Sequence, residues 1–265
     1  MSRSASGENG SLFAEERQQA IMDRLRAHGK VTVEELSARF RVSAPTVRAD
    51  LGRLEELGLL RRTHGGAISS STTLFEPPYA QRQVIRYDEK RVIARAAASL
   101  IKEGETILLD AGTTTHEIAM QIKERKSLTV VTNSVVNALE LMDNSGIEVI
   151  LIGGSVQPLR RATLGPLAVR FLQVFHVDRA FMAFNGIHPT SGYTVVDFDA
   201  AEIKQKMMDC ADDVVVVSDS GKIGQIAFAS VAPIQSGRLL ITDTGISKED
   251  NDSLSELGLE IMVCS

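Results

Sequence analysis

The sequence predicts an α/β chain in two parts: a small helical unit closed by a β-hairpin, then a larger domain built on a mainly parallel sheet. Three observations predict it. Apolar residues recur at helical spacing from Ala14 to Leu54, a Ser/Thr/Pro-rich stretch follows at residues 69–78, and seven short apolar runs then alternate with helical patterns. The expected boundaries are 13–68 for the first unit, 69–78 for a linker and 79–265 for the second domain.

In the first unit, one helix is expected from Ala14 to Ala27, with Ile21, Met22 and Leu25 on one face and Gly29 as its stop. Thr32 and Glu35 have the spacing of a capping box, opening a helix in which Val33, Leu36 and Phe40 form the apolar stripe. After the tight connection Arg41-Val42, Ser43 reads as the N-cap of a third helix, with Pro45 in its first turn. Val47, Leu51 and Leu54 are its buried stripe and Gly58 its stop. Leu59–Arg62 and Ala67-Ile68 then flank a His64-Gly65-Gly66 turn, which reads as a short hairpin. Two short helices joined tightly and followed by a hairpin make a winged helix-turn-helix.

In the second domain the strand candidates are Thr106–Leu109, Leu128–Val131, Glu148–Ile152, Ala180–Phe184, Val214–Val217, Leu239–Thr242 and Glu260–Val263. Helical patterns lie at Tyr79–Lys90, Glu89–Lys102, Thr114–Lys123, Val135–Asp143, Pro166–Val174 and Ala200–Cys210, with Cys210 read as a buried helix residue. Strand and helix in alternation argue for a mainly parallel sheet, and ligands of such folds sit at the carboxyl ends of the strands.

Composition narrows the function classes. The chain is 43% hydrophobic and 24% charged, which fits a globular protein and excludes disorder for its bulk. No apolar run approaches the roughly 18 residues of a membrane helix, and MSRSASGENG lacks the apolar stretch of a signal peptide. Two cysteines, Cys210 and Cys264, make neither a disulfide framework nor a zinc site, so a cytoplasmic setting is expected. The five histidines show no metal spacing, and neither a metal nor a cofactor is expected. The net charge of −5 argues against nucleic acid, yet it is unevenly divided. Residues 1–67 hold 11 Lys and Arg against 9 Asp and Glu, +2, while the remainder holds 18 against 25, −7.

A helix-turn-helix lays its second helix in the major groove of DNA. With Val47, Leu51 and Leu54 turned inward, Pro45, Thr46, Ala49, Gly52 and Arg53 face outward and Arg48 sits at the flank. Arg48 and Arg53 suit guanine edges or phosphates, and Ser43 and Thr46 suit phosphates. Pro45, Ala49 and Gly52 leave the middle of the face nearly flat, so the backbone can approach the groove. Arg61, Arg62 and His64 on the hairpin would meet the sugar-phosphate backbone or the minor groove. Double-stranded operator DNA is the expected partner.

These residues resemble a known family. Val31–Leu36, Phe40–Ser43, Thr46–Leu51, Leu54–Leu60 and His64–Ala67 are similar to the helix-turn-helix of the DeoR family of bacterial transcriptional regulators. The resemblance runs through nearly all of the second domain. One departure is Ala49, where the family often carries a second Arg.

In the second domain, Leu108–Thr115 reads as a strand, a turn and a helix start. Free backbone N–H groups, the hydroxyls of Thr113, Thr114 and Thr115, and the close approach that Gly112 permits suit a phosphate; Thr113 also suits a plain helix cap. Other strand ends add polar groups: Thr132-Asn133-Ser134, Gly153-Gly154, Asn185-Gly186 and Asp219-Ser220-Gly221-Lys222. Lys222 is the first choice for pairing an anionic ligand and Lys204 the next, whereas Glu202 reads as a solvated helix residue. The same pattern resembles the sugar-phosphate sensor domain of the DeoR family and, more distantly, ribose-5-phosphate isomerase A. That resemblance implies that Asp110, Gly112, Thr113, Thr114, Asn133, Gly153, Gly154, Asn185, Gly186 and Lys222 line an effector pocket. Two departures are Phe184, where the family usually has a small residue, and Gly221, where Ser is common.

An isomerase with a DNA-binding appendage is the alternative. Isomerising a sugar phosphate needs a positioned general base, and Asn185 stands where the related isomerase carries a carboxylate. Asp110 and Asp178 remain as carboxylates, but Asp178 begins a strand and so lies at the wrong end. The expectation is therefore a regulator and not an enzyme: a repressor of a carbohydrate-utilisation operon, responsive to a phosphorylated sugar. Two-fold operators make a homodimer or homotetramer the expected assembly. The segment Tyr79–Lys90, directly after the linker, is the expected transmitter.

Overall fold

The structure, a computed structural model, describes residues 14–28, 30–56, 59–69 and 76–265. The expected helix stops at Gly29 and Gly58, the linker residues 70–75 and the side chain of Arg61 lie outside the described set. The chain divides into two compact units between Pro77 and Pro78.

The first unit runs α1 (Ala14–His28), β1 (Lys30–Thr32), α2 (Val33–Phe40), α3 (Ala44–Glu56), β2 (Leu60–Thr63) and β3 (Gly66–Ser69). Thr32 caps α2 by accepting from the Glu35 amide at 3.2 Å. Arg41, in the left-handed region at φ 53, ends α2 and redirects the chain into α3. Ile21, Leu25, Leu36, Phe40, Val47, Leu51, Leu54 and Leu60 form one core, each worth about 1.5–3 kcal/mol when fully buried. The strands form an antiparallel sheet in the order β1-β3-β2, which is the hairpin extended by a third strand. Lys30–Thr32 gave no strand signal in sequence, because three residues ending in a cap are too short to show alternation.

The second unit begins with α4 (Tyr79–Val84) and α5 (Tyr87–Ser99), followed by β4 (Thr106–Leu109), α6 (Thr113–Ile122), β5 (Leu128–Thr132), α7 (Val135–Leu141) and β6 (Ile147–Leu151). A hairpin, β7 (Ser155–Gln157) and β8 (Ala162–Leu164), leads to α8 (Pro166–Leu172), β9 (Val177–Met182), β10 (Gly186–His188) and β11 (Gly192–Val195). α9 (Phe198–Asp209), β12 (Ala211–Val217), β13 (Ala229–Ala232), β14 (Leu239–Asp243), α10 (Lys248–Glu256) and β15 (Glu260–Cys264) complete it.

Seven strands form one sheet in the order β15-β14-β12-β9-β4-β5-β6, every pair parallel. Successive strand residues face opposite layers. Ile107, Leu109, Val130, Phe181 and Val215 pack with Ile93 and Ala97 of α5, Ile118 of α6 and Leu141 of α7. Leu108, Val131, Ala180, Met182 and Val216 pack with Leu172 of α8, Ile203 and Met207 of α9 and Leu254 of α10. With both faces covered, the polar chemistry of the sheet lies at its strand ends, where Asp110, Asn133 and Asp219 are themselves buried.

Three expectations need correction. The helical segment Tyr79–Lys90 is two helices, broken at Ile85-Arg86, where Arg86 adopts φ 51. The strand placed at Ala180–Phe184 is Val177–Met182, because Val177 is already paired opposite Ala211 and the chain leaves the sheet after Met182. Cys210 is buried but follows α9 rather than belonging to it.

Candidate functional site

In the first unit, Ser43 Oγ accepts from the Thr46 amide at 3.3 Å and lies 2.8 Å from Thr46 Oγ1, which starts α3 and engages both hydroxyls. Pro45, Arg48, Ala49 and Arg53 are exposed along α3. Arg53 lies 3.4 Å from Glu56, an open surface pair worth little. The hairpin is held to α3: the Arg62 amide donates to Glu55 Oε1 at 2.8 Å, and the Arg62 guanidinium lies over Gly52. Arg62 and His64 are exposed. Thus Pro45, Arg48, Ala49, Arg53 and Arg62 belong to one helix and the hairpin strapped to it.

Beneath that face lies a pair absent from the sequence reading. Arg17, 7% exposed, donates to Asp50, 5% exposed, through Nε at 2.5 Å and Nη2 at 3.0 Å, and Gln18 adds a third bond at 3.3 Å. The hydrogen bond to Asp50 holds the Arg17 guanidinium above its ordinary range. Asp50 falls on the Val47–Leu51–Leu54 stripe, and a carboxylate on an apolar stripe is the signal that could have found it. Arg24 and Glu35 pair closer to the surface, joining α1 to α2.

In the second unit, neighbouring strands β6, β5, β4, β9 and β12 end in the polar segments singled out from sequence. Asp110, fully buried after β4, accepts three hydrogen bonds. Its Oδ1 accepts from the Ala111 amide at 2.8 Å, and its Oδ2 accepts from the Ala183 amide at 3.1 Å and from Lys204 Nζ. Lys204 also donates to the Ala183 carbonyl at 2.8 Å and lies 5.5 Å from the Phe184 ring, which stacks on Tyr193. Asp110 and Lys204 therefore tie the ends of β4 and β9 to α9.

Gly112, in extended conformation, is the N-cap of α6 and supplies no side-chain cap. Thr113 is the first helical residue rather than the cap, so the α6 N-terminus keeps the backbone donors that a capping hydroxyl would take. Thr113 and Thr114 are buried in this turn, while Thr115 turns its hydroxyl back to the Asp110 and Gly112 carbonyls at 2.6 and 3.1 Å. Asn133, 1% exposed, donates Nδ2 to the Thr163 carbonyl at 3.3 Å, which fixes the amide orientation and leaves its buried Oδ1 without a hydrogen-bond partner. Asn137, missed in sequence, links this region by reaching the Asp110 carbonyl at 3.4 Å and His116 Nδ1 at 3.2 Å.

The remaining candidates divide. Gly153 is exposed with open space around it, and Asn185 is half-buried with its amide on Thr194. Gly154 and Gly186 are packing positions: a Cβ would lie 2.7 Å from the Leu164 carbonyl oxygen and 2.4 Å from that of Gln225, respectively. Lys222 closes a 3-10 turn, Ser220–Lys222, past the end of β12. Glu202 is exposed, and Asp178 accepts from the Thr106 amide at the opposite end of the sheet.

Two further groups were not legible. Lys90, 4% exposed, donates to the Arg82 and Ile85 carbonyls, and burial lowers its ammonium to about 8. Asp243 accepts from the Ser220 amide at 2.6 Å and Ser220 Oγ at 2.8 Å, anchoring the turn that carries Lys222. Among the described residues no group of His, Cys, Asp and Glu has metal-site geometry, and no helix is long and apolar enough to cross a membrane.

Residues 17–73 match the DeoR-like helix-turn-helix domain and residues 85–244 the DeoR C terminal sensor domain. The chain is 32% identical to a putative aga operon transcriptional repressor of Escherichia coli O157:H7, over 98% of this chain and 97% of that protein. It is 35% identical to the HTH-type transcriptional repressor GlcR of Bacillus subtilis (strain 168), over 95% and 97%. It is 34% identical to the transcriptional repressor AccR of Agrobacterium fabrum, over 87% and 90%. Ribose 5-phosphate isomerase A from Methanocaldococcus jannaschii is similar over 52% of this chain and 55% of that one, at 18% identity and a TM-score of 0.39, too slight a likeness to carry an argument.

Proposed function

Because the chain belongs to the DeoR family of transcriptional regulators, we propose that it represses a carbohydrate-utilisation operon and is modulated by a phosphorylated sugar bound at the strand ends of the second unit. The observation that carries the sensing half is the α6 N-terminus beside the buried Asn133. An uncapped helix start offers N–H donors to an anion, and an unpartnered carbonyl oxygen requires a donor such as a sugar hydroxyl. Lys222 adds a cation on the turn past β12, two strands from β4, while Thr113, Thr114, Gly112 and Gly153 shape the wall. Asp110 and Lys204 serve by orienting the strand ends rather than by touching the ligand. A buried carboxylate held by two amides and an ammonium is a poor general base, which favours a sensor over an isomerase.

For the DNA half, Arg48 and Arg53 read bases or phosphates from α3, Pro45 and Ala49 let the helix approach, and Ser43, Thr46, Arg61, Arg62 and His64 contact the backbone. The regulator acts in the cytoplasm as a homodimer or homotetramer, because paired readers match paired half-sites. Thermal-shift measurement against a panel of aldose and ketose phosphates tests the sensing reading, since a ligand selective for the folded state raises its melting temperature. At least one phosphosugar should stabilise the chain; a panel with no such member would refute the proposal.

A further inference from the structure

The elbow between α4 and α5 carries contacts that neither DNA reading nor ligand binding uses. α4 is the first element after the linker, and only Ile85 and Arg86 separate it from α5. Arg86 sits at φ 51 and ψ 48, a left-handed conformation uncommon for a residue with a side chain.

The surroundings of Arg86 are specific. Arg86 Nη1 donates to Ser220 Oγ at 3.2 Å, Nε lies 3.5 Å from Asp219 Oδ1, and Nη1 lies 3.6 Å from Glu89. Behind it Lys90 gathers the Arg82 and Ile85 carbonyls, closing the end of α4 onto the start of α5. Asp219 and Ser220 in turn begin the 3-10 turn that ends at Lys222. Asp219 Oδ1 also accepts from the Gly221 amide at 3.1 Å, so one carboxylate serves both the turn and the elbow. Gly221 leaves room for this: a Cβ there would lie 2.9 Å from Arg86 Nε and 2.9 Å from Asp219 Oδ1.

We propose that Arg86 is the coupling residue of the sensor, clamping the α4–α5 elbow to the Asp219–Lys222 turn so that a ligand drawing on Lys222 loosens the clamp and redirects the chain toward the DNA-reading unit. This rests on the proposed binding of a phosphorylated sugar beside that turn. The ligand must favour the loosened state, because only a difference in affinity between two states moves an equilibrium. Arg86 touches no ligand in this scheme; it is a positioning residue, and its loss should separate binding from response.

The test compares wild type with Arg86→Ala and Arg86→Lys. Operator affinity is read by fluorescence anisotropy with and without the aldose or ketose phosphate that most stabilises wild type. In wild type the ligand should weaken operator binding by about 5–150-fold, the usual span of allosteric coupling. Arg86→Ala should bind that phosphosugar within about 3-fold of wild type while its operator response falls below about 2-fold, with Arg86→Lys intermediate. A full response in Arg86→Ala overturns the clamp alone; a wild type indifferent to the whole panel overturns the sensing reading instead. Hydrogen exchange without ligand decides the clamp independently. Exchange at Ile85–Glu89 should rise about tenfold or more in Arg86→Ala and Asp219→Asn with β4 unchanged, and an elbow that exchanges equally in all three chains overturns the proposal.

Discussion

Removing Asp50 should unfold the DNA-reading unit and leave the sensor unit standing. The Asp50 carboxylate is the partner of a buried guanidinium, and Asp50→Ala strands Arg17 without its two charge-assisted bonds. Breaking a buried pair from one side costs about 3–5 kcal/mol. A unit of residues 14–69, at roughly 0.05–0.15 kcal/mol per residue, has only about 3–8 kcal/mol in total. The loss is thus comparable with the whole stability of the unit. Arg17→Met should cost a similar amount, whereas Arg17→Met with Asp50→Leu should return to within about 1 kcal/mol of wild type, because neither charge then remains buried alone. The chain has no Trp, and its three Tyr, Tyr79, Tyr87 and Tyr193, all follow Pro77, so tyrosine fluorescence follows only the second unit. Hydrogen exchange of the α3 amides during urea titration reports the first. A single variant losing less than about 1 kcal/mol, or a double variant less stable than either single, would show that the pair does not hold the unit together.

Other outcomes follow from the same geometry. Arg48→Ala should weaken operator binding by about 1–3 kcal/mol more than random-duplex binding if the side chain reads a base; equal losses would reduce it to a phosphate contact. Lys204→Met leaves Asp110 buried without its cation and should destabilise the second unit by about 3–5 kcal/mol in urea, with unchanged stability as the refuting result. Lys90 gives a pH signature. Its folded value, about 8, lies below its ordinary 10.5, so between those limits the unfolded chain holds the proton more tightly and stability rises with pH. The gain of wild type over Lys90→Met across that window should approach about 3 kcal/mol, at 1.36 kcal/mol per unit. A flat difference would mean that the ammonium is not desolvated in the fold.

Periodicity carried most of the fold. All seven apolar runs lie in one sheet, and its central strands are apolar toward both layers because both faces are covered, as Leu108 and Leu109 are toward opposite layers. What failed to show was short or polar. β7, β10 and β13 have three or four residues each, too few to display alternation, and α10 carries a single buried residue, Leu254. The break at Arg86 was invisible because Tyr79–Lys90 contains neither Gly nor Pro; contacts to Asp219 and Ser220, over a hundred positions away, hold it. The candidate site was legible as strand ends, not as roles. Gly186 and Gly153 look alike in sequence, yet one is packed against a carbonyl and the other is open.

Charge arithmetic has the same weakness, and placement repairs it. The first unit's +2 counts Arg17 and Asp50, which neutralise one another inside, and Arg24 and Glu35, which pair between helices. Each of these two pairs sums to zero, so neither adds to the net charge of the unit. Toward solvent, α3 and the hairpin present Arg48, Arg53, Arg62 and His64, with Glu55 and Glu56 beside them. Among the described side chains of this face, Arg48, Arg53 and Arg62 give a modest electrostatic term, since each phosphate neutralised contributes a salt slope of only about −0.9. One copy of such a reader therefore gains little affinity from charge alone. On the proposed function, tight operator binding draws on two readers on one site, with discrimination proposed to rest on Arg48 and the flat Pro45–Ala49 surface. Under the proposed clamp, a ligand that loosens the Arg86 elbow weakens operator binding without touching the reading face.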